Sequence, residues 1–140
     1  MFIARASRHD KGDIRELIEA QGWDTDHLDE GTTLIAREGA VTGCVRLIEV
    51  EPQTVVIDDF IVREDKRGQG LGRQLMQAAM NNRGGTLYLC CHDDVIAFYE
   101  KLGFSQMPFE ELPDSVQSYF KRVDDYPTDH DHEHFFLKAR

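Results

Sequence analysis

The sequence predicts an α/β (α+β) fold in a single domain over residues 1–140, with a mixed, mostly antiparallel central sheet flanked by helices. Three β-rich runs follow one another and are separated only by short turn segments: 32–37, 41–50 and 54–62. Such spacing is typical of consecutive antiparallel strands. Runs with helical spacing of apolar residues come before and after these strands. At this length a chain buries about two-thirds of its unfolded surface, which suits one compact unit.

The N-terminal part predicts a strand followed by a helix. Residues 2–6 alternate in polarity, and residues 7–20 place Ile14, Leu17 and Ile18 at helical spacing behind Ser7, a candidate N-cap. A second short helix is expected at about residues 26–30, within a polar segment that leads to the first hairpin.

The C-terminal half predicts three more helices and two more strands. A helix over 71–82 has an apolar stripe and is followed by Gly84-Gly85, a stop signal. A buried strand, a helix that Asp93 or Asp94 caps and Gly103 terminates, another helix and a last strand are expected in turn at 86–90, 95–102, 112–123 and 135–137.

Charge and composition restrict the class of partner. The net charge of −10 opposes binding to nucleic acid or to anionic membranes and favours a cationic substrate. No apolar stretch reaches the roughly 20 residues that span a bilayer, and no secretion signal is visible at the N-terminus. Cys44, Cys90 and Cys91 do not suggest a disulfide framework, so a reducing, cytoplasmic location is expected.

A glycine-rich segment, Arg67-Gly68-Gln69-Gly70-Leu71-Gly72, joins the strand 54–62 to the helix 71–82. Glycines at alternate positions let the backbone turn tightly and present N–H groups at a helix N-terminus, an arrangement that binds phosphate. The segment has neither the Gly-Lys-Ser/Thr of a P-loop nor the Gly-x-Gly-x-x-Gly of a dinucleotide fold. Several cationic side chains lie in or next to the glycine-rich segment, and an anionic cofactor needs such a local positive charge. They are Arg63, Lys66, Arg67 and Arg73.

The segment resembles the Arg/Gln-x-x-Gly-x-Gly/Ala signature of the GNAT N-acetyltransferase superfamily, with Arg67, Gly70 and Gly72 at the signature positions. Two further segments are similar to the same family at the expected distances. Residues 59–62, Asp-Phe-Ile-Val, resemble its fourth strand, and residues 97–104 resemble its A-x-F-Y-x-x-x-G-F helix and turn. The resemblance implies an enzyme that uses acetyl-CoA, acts on an amine, and has a sheet splayed between its fourth and fifth strands.

The resemblance also implies which residues bind the co-substrate. The pantetheine arm, which carries two amides, would pair like a strand with the backbone of Phe60, Ile61 and Val62. The pyrophosphate would accept hydrogen bonds from the loop backbone, more than from the Arg67 side chain. The residues assigned to the loop contacts are Arg67, Gly68, Gln69, Gly70, Leu71, Gly72 and Arg73.

Acetyl transfer to an amine needs a base to deprotonate the ammonium ion and benefits from an acid to protonate the leaving thiolate. Asp58 and Asp59 are candidate bases, acting directly or through a water. Strand alternation would place them on opposite faces, and Asp59 is favoured because similar sequences often carry an acidic residue there. Tyr99 resembles the family's general acid. Exposure of the aspartates on a sheet face and packing of Tyr99 in the core are the structural alternatives.

Histidine and cysteine residues occur at three further places where a functional role is considered. His92 stands where many relatives have a cofactor-binding Asn, and it is assigned to the cofactor site, with helix capping or solvent exposure as alternatives. Cys90 and Cys91 are interpreted as strand residues and not as nucleophiles. His130, His132 and His134 would share a face if extended, but a solvated approach to the last strand is favoured and no metal is assigned.

The acceptor is the least determined part of the function. The tail resembles, loosely, that of amino-acid acetyltransferases of the N-acetylglutamate-synthase type, which favours a small molecule with an α-amino group. Acetylation of a protein lysine or N-terminus, and a silent acetyl-CoA-binding sensor, are the alternatives. Candidate acceptor-lining residues are Trp23, Asp24, Asp26 and Tyr119. Dimers are common in the superfamily, so the resemblance leaves both a monomer and a homodimer open.

Overall fold

The computed structural model describes residues 2–128 and 133–140. Its strands are β1 (Phe2–Arg5), β2 (Thr32–Glu38), β3 (Ala40–Glu51), β4 (Thr54–Val62), β5 (Thr86–Cys91), β6 (Ser105–Met107) and β7 (Phe135–Ala139). Its α-helices are α1 (Lys11–Glu19), α2 (Leu71–Asn82), α3 (Ile96–Glu100) and α4 (Asp114–Arg122). Over the described residues the strands form one seven-stranded sheet in the order β1-β2-β3-β4-β5-β7-β6. The predicted α/β class with a mixed, mostly antiparallel sheet is confirmed.

The parallel ladder of this sheet is short. It pairs Thr54–Val56 of β4 with Thr86–Tyr88 of β5, whereas β4 itself continues to Val62. β5 instead keeps its antiparallel pairing with β7 to its last residue, Cys91. The early end of the β4–β5 ladder agrees with the predicted splay between the fourth and fifth strands.

The backbone divides into two compact units, residues 1–48 with 57–83, and residues 49–56 with 84–140. The prediction of one domain over residues 1–140 stays a prediction. Among the described residues, every helix is too short or too polar to cross a membrane.

The core of the first unit lies between α1 and the sheet. The predicted apolar face of α1 is buried, and it belongs to one cluster with side chains of β2, β3 and β4: Ile14, Leu17, Ile18, Ile35, Val41, Cys44 and Ile61. Ser7 caps this region as predicted, because its hydroxyl accepts from the His9 N–H at 3.3 Å and the Asp10 carboxylate accepts from the Ser7 N–H at 2.9 Å. The capped turn is a 3₁₀ turn over Arg8–Asp10, so α1 begins only at Lys11.

The core of the second unit is aromatic. Val116, Tyr119 and Phe120 are the buried residues of α4. The Phe120 ring lies 5.1 Å from the Phe136 ring of β7, and Phe109 lies 5.2 Å from the same ring. These contacts hold α4 against the C-terminal strand.

Two predicted local features are wrong, and one strand was missed. Residues 26–30 form turns instead of a helix, because the Asp24 carboxylate accepts from the Asp26 N–H at 2.7 Å and stabilises a local turn. Neither Asp93 nor Asp94 caps α3, which begins at Ile96 after a 3₁₀ turn and has no side-chain cap. The short strand β6 was not predicted, and it forms by pairing with β7.

Candidate active site

The glycine-rich segment forms a tight loop at the start of α2. Gly68 and Gly70 have φ of 81° and 80°, in the left-handed region that favours glycine, and Gly70 is the N-cap of α2. The first helical hydrogen bond runs from the Gln74 N–H to the Gly70 carbonyl at 3.1 Å. By helix geometry the amides of residues 71–73 therefore lie at the positive end of the helix dipole without a carbonyl four residues earlier in α2. A methyl group added at Gly68 or Gly70 would meet no protein atom within 4 Å, so the loop surface is open.

The positive charge around the loop is smaller than its count of cations suggests. Arg63 forms a two-point ion pair with Asp65, with N–O distances of 2.6 and 3.0 Å, and Lys66 lies 3.5 Å from Glu38. The Arg67 Nε donates to the Val62 carbonyl at 2.9 Å and ties the loop back to the end of β4. Arg73 has an exposed side chain. Ion pairs thus take up part of the positive charge near the loop, and the Arg67 side chain is hydrogen-bonded to the end of β4.

The two candidate bases do not alternate across β4 as predicted. Asp59 has a φ of 49°, which interrupts the regular strand, and its N–H donates to the Asp58 carboxylate at 2.8 Å. Both carboxylates approach the same guanidinium, that of Arg46 on β3: Asp59 at 2.8 Å and Asp58 at 3.6 Å. The expectation that the aspartates lie on opposite faces is therefore wrong, because the irregular backbone at Asp59 turns both side chains toward Arg46.

Arg46 is a buried residue that organises this cluster and that the sequence pattern did not single out. Its side chain is only 3% exposed. Besides the two aspartates, its NH1 group donates to the backbone carbonyls of His27 at 2.7 Å and Glu30 at 3.2 Å. The signal was present, since Arg46 is a lone cation in the apolar run 41–50 of a predicted central strand, and a buried cation needs partners.

A close backbone approach brings those carbonyls to Arg46. Gly31 has a φ of 77°, and a Cβ at this position would lie 2.2 Å from the Leu47 carbonyl oxygen. Only glycine allows the end of the 27–31 loop to lie directly on β3 here. The loop, β3 and β4 are therefore joined through one guanidinium.

The environment of Asp59 gives its carboxyl the properties of a base. Its side chain is 12% exposed. Burial, and next the negative charge of Asp58, raise the pKa of Asp59 to about 6, against the opposing effect of Arg46. A carboxyl with this pKa is mostly ionised at pH 7 and holds a proton more firmly than an ordinary aspartate.

Two of the cysteines have the properties of inert thiols. Burial, followed by the charge of Asp59, raises the pKa of Cys44 to about 12, and its thiol donates to the Asp59 carbonyl at 3.3 Å. Burial, followed by the charge of Asp94, raises the pKa of Cys91 to about 12. Neither forms the thiolate that nucleophilic catalysis requires at neutral pH.

Tyr99 lies in α3, in the second unit, and is buried. Its ring contacts those of Phe98 and Phe104 edge to face, at centroid distances of 5.2 and 5.9 Å. The turn after it is closed by the Phe104 N–H, which donates to the Tyr99 carbonyl at 3.1 Å, and by Gly103 with a φ of 102°. The predicted Gly103 terminator is confirmed, and it fixes the tyrosine between two aromatic neighbours.

His92 is exposed and precedes the turn that leads into α3. It does not cap that turn with its side chain. Its Nδ1 instead lies 3.3 Å from the Glu133 carbonyl oxygen, and its ring lies 4.9 Å from the His134 ring. Its assignment to the cofactor stays a prediction.

The remaining predicted site residues are scattered. Trp23 is 44% exposed, whereas Tyr119 is 2% exposed and packs against Phe120. Asp24 and Asp26 belong to the same surface turn. His130 and His132 lie outside the described residues. The first unit thus brings together the glycine loop, the segment 60–62 and Asp59, while Tyr99 and His92 belong to the second unit.

Comparison with known proteins decides the family. A family model described as an acetyltransferase (GNAT) domain matches residues 29–106, more than half of the chain. The chain belongs to the GNAT acetyltransferase family. It is therefore an acyl-CoA-dependent acetyltransferase with acetyl-CoA as its co-substrate. A comparison with curated proteins gave no match.

Solved structures share the fold at low sequence identity. N-acetylglutamate synthase from Neisseria gonorrhoeae, complexed with coenzyme A and N-acetyl-glutamate, matches with a TM-score of 0.76 and 19% identity over 100% of this chain, which spans 35% of that protein. A GNAT-family acetyltransferase from Staphylococcus aureus Mu50 matches with a TM-score of 0.75 and 18% identity. The match covers 99% of this chain and 97% of the Staphylococcus chain. Rv2747 from Mycobacterium tuberculosis, in complex with CoA and NLQ, matches with a TM-score of 0.74 and 16% identity over 99% and 98% of the two chains.

Proposed function

We propose that this GNAT enzyme acetylates the primary amine of a small molecule, such as an amino acid, with Asp59 as the general base. The observation that carries the proposal is the buried Asp59 carboxyl, whose pKa is raised to about 6 and which Arg46 holds on β4. A base of this pKa is ionised at neutral pH, so it can accept a proton from the ammonium form of the acceptor, directly or through a water.

The proposed reaction begins when Asp59 accepts a proton from the ammonium group of the acceptor. Once deprotonated, the amine attacks the thioester carbonyl, a C–N bond forms, the C–S bond breaks, and the nitrogen loses its second proton to solvent. Tyr99 is proposed to give its hydroxyl proton to the departing thiolate, and solvent exchange returns both residues to their starting states. The aromatic contacts of Tyr99 support this role by fixing the ring.

Acetyl-CoA would be held mainly by backbone. The amides at the start of α2 and the positive-φ loop around Gly68 and Gly70 suit the pyrophosphate. The backbone of Phe60, Ile61 and Val62, beyond the end of the parallel ladder, suits the amides of the pantetheine arm. The Val62 carbonyl also accepts from Arg67, which couples the shape of the loop to the end of the strand.

The choice of a small amine rests on two supports. The sequence of the tail resembles amino-acid acetyltransferases, and the Neisseria neighbour was crystallised with N-acetyl-glutamate, an acetylated amino acid. The acidic balance of the chain favours a cationic group on the acceptor, which every protonated amine carries.

A thiol-release assay tests this proposal. Purified protein is incubated with acetyl-CoA and, separately, with amino acids, polyamines, aminoglycosides, and lysine or N-terminal peptides, and free CoA is measured against a reaction without acceptor. Turnover on amino acids or another small amine, with the N-acetyl product identified by mass spectrometry, supports the proposal. Turnover on peptides alone would replace it with protein acetylation. Acetyl-CoA binding without turnover on any acceptor would favour a sensor.

A further inference from the structure

A group of metal-ligating side chains in the second unit includes none of the residues assigned to acetyl transfer. Cys90 belongs to β5, Asp125 follows α4, and His134 directly precedes β7. One potential ligand atom from each lies within 4.8 Å of the other two: the Cys90 thiol sulfur, an Asp125 carboxylate oxygen and a His134 ring nitrogen. All three residues are half-buried, so the cluster is sheltered but reachable from solvent.

Regular structure brings the three residues together from distant parts of the chain. In the β5–β7 ladder Cys90 pairs with Phe136 and Cys91 with Phe135, which brings His134 to the same end of the ladder. Asp125 is held at the end of α4, where its N–H donates to the Phe120 carbonyl at 2.9 Å. The ring contact of His92 with His134, at 4.9 Å, further limits where the His134 ring can move.

The His134 ring has a hydrogen bond of the kind that metal-ligating histidines make. Its Nδ1 lies 2.9 Å from the backbone carbonyl oxygen of Asp125, and a carbonyl only accepts, so Nδ1 carries the hydrogen. The lone pair is then on Nε2. Ligating histidines usually donate their other ring N–H to a carbonyl or carboxylate, which fixes the tautomer and the ring orientation.

We propose that Cys90, Asp125 and His134 bind a divalent transition-metal ion, zinc in particular. Thiolate, imidazole and carboxylate together suit zinc, whereas magnesium and calcium prefer oxygen ligands alone. Tetrahedral zinc places such ligand atoms about 3.3 to 3.6 Å apart, so the present separations need to close by roughly 1.5 Å at most, which side-chain rotation supplies.

The charges of this site balance. The Cys90 thiol loses its proton to solvent on binding, so one thiolate and one carboxylate neutralise the dication while the imidazole stays neutral. A fourth tetrahedral position remains for water or another external ligand. Because the site uses none of the residues proposed as base or acid, a test of metal binding is independent of a test of the proposed acceptor.

Cobalt substitution tests the site with a signal that only a cysteine ligand gives. The full chain, without a purification tag and under a phosphine reductant, is titrated with Co²⁺ and then with Zn²⁺. We expect saturation at one equivalent, a near-ultraviolet thiolate-to-cobalt charge-transfer band, intense tetrahedral visible bands, and displacement of both by zinc. A wild-type protein that shows no charge-transfer band at saturation overturns the proposal, whatever the variants do.

Variants then assign the ligands. Cys90→Ser should abolish the band, and His134→Ala and Asp125→Asn should each weaken zinc affinity in calorimetry by at least about tenfold. Cys91→Ser, which changes the neighbouring thiol, and His9→Ala, in the first unit, are matched controls and should leave both signals intact. Circular dichroism confirms that each variant is folded. A band that survives in Cys90→Ser, or full affinity in both His134→Ala and Asp125→Asn, contradicts the assignment.

Discussion

Replacement of Arg46 with Met tests how the fold holds the proposed base. The side chains of Arg46 and Asp59 are 3% and 12% exposed, so the substitution leaves a buried carboxylate beside Asp58 without its main cation. Removing one partner of a buried ion pair typically costs about 3 to 5 kcal/mol, and we expect a loss of this size in the free energy of unfolding at pH 7.5. The backbone carbonyls of His27 and Glu30 lose a donor as well.

The loss should depend on pH with a known sign. Arg46 lowers the pKa of Asp59, so its removal raises that pKa above the value of about 6 in the parent protein. A carboxyl whose pKa is higher in the folded state than in the unfolded state binds more protons when the chain is folded. Protonation of this carboxyl therefore stabilises the folded state below the unfolded-state pKa, and that stabilisation is lost as pH rises through the folded-state pKa. Arg46→Met should therefore be closer to the parent in stability at pH 5 than at pH 7.5.

Urea unfolding followed by circular dichroism at both pH values measures the effect. Adding Asp59→Asn to Arg46→Met should recover part of the loss, because the buried negative charge is gone. Arg63→Met removes an exposed ion pair with Asp65 by the same substitution and should change stability little. Equal losses at pH 5 and 7.5, with no recovery in the double variant, would refute the argument that Arg46 neutralises Asp59.

Two catalytic predictions follow from the proposed roles of Asp59 and Tyr99. Asp59→Asn should lower kcat by about 10² to 10⁴ and remove the acid limb near pH 6 from the pH profile of kcat/KM, with acetyl-CoA affinity unchanged. Asp58→Asn is the matched control: it should stay active and shift that limb below pH 6, because the charge of Asp58 raises the pKa of Asp59. An unchanged limb in Asp59→Asn would assign the base elsewhere. Tyr99→Phe should lower turnover and leave the calorimetric Kd for acetyl-CoA nearly constant; undiminished turnover would return Tyr99 to a packing role.

Local signals in the sequence were enough to predict the glycine loop and its flanking elements. The bounds of β4 and α2 agree with the structure, because a β-branched run, a glycine turn and an apolar helical stripe coincide within thirty residues. The loop charges were not predictable to the same extent. Lys66 forms an ion pair with Glu38, which is distant in sequence and lies near it only in the folded chain.

The arrangement around Asp59 could not be predicted from strand alternation. Its φ of 49° departs from the regular strand that a polarity pattern assumes, and the contacts to Arg46 that accompany this backbone come from another strand. Likewise, Cys90, Asp125 and His134 belong to three separate segments, so no spacing rule joins them. Arg46 itself was detectable, since a charged residue in a buried strand predicts a buried partner without naming it.

Calorimetry of acetyl-CoA binding to Gly70 variants tests the central claim, that the backbone at the start of α2 binds the pyrophosphate. Gly70→Ala and Gly70→Glu carry the same strain at a φ of 80°, and a Cβ there meets no protein atom within 4 Å, so the two variants differ chiefly in bulk and charge at the proposed phosphate site. Gly22→Glu, at a φ of 75° with equal space, controls for the added charge.

We predict that Gly70→Glu abolishes binding, that Gly70→Ala retains measurable affinity, and that Gly22→Glu binds acetyl-CoA like the parent. If Gly70→Glu binds acetyl-CoA as tightly as Gly70→Ala does, the pyrophosphate does not lie at this loop and the account of the active site is wrong.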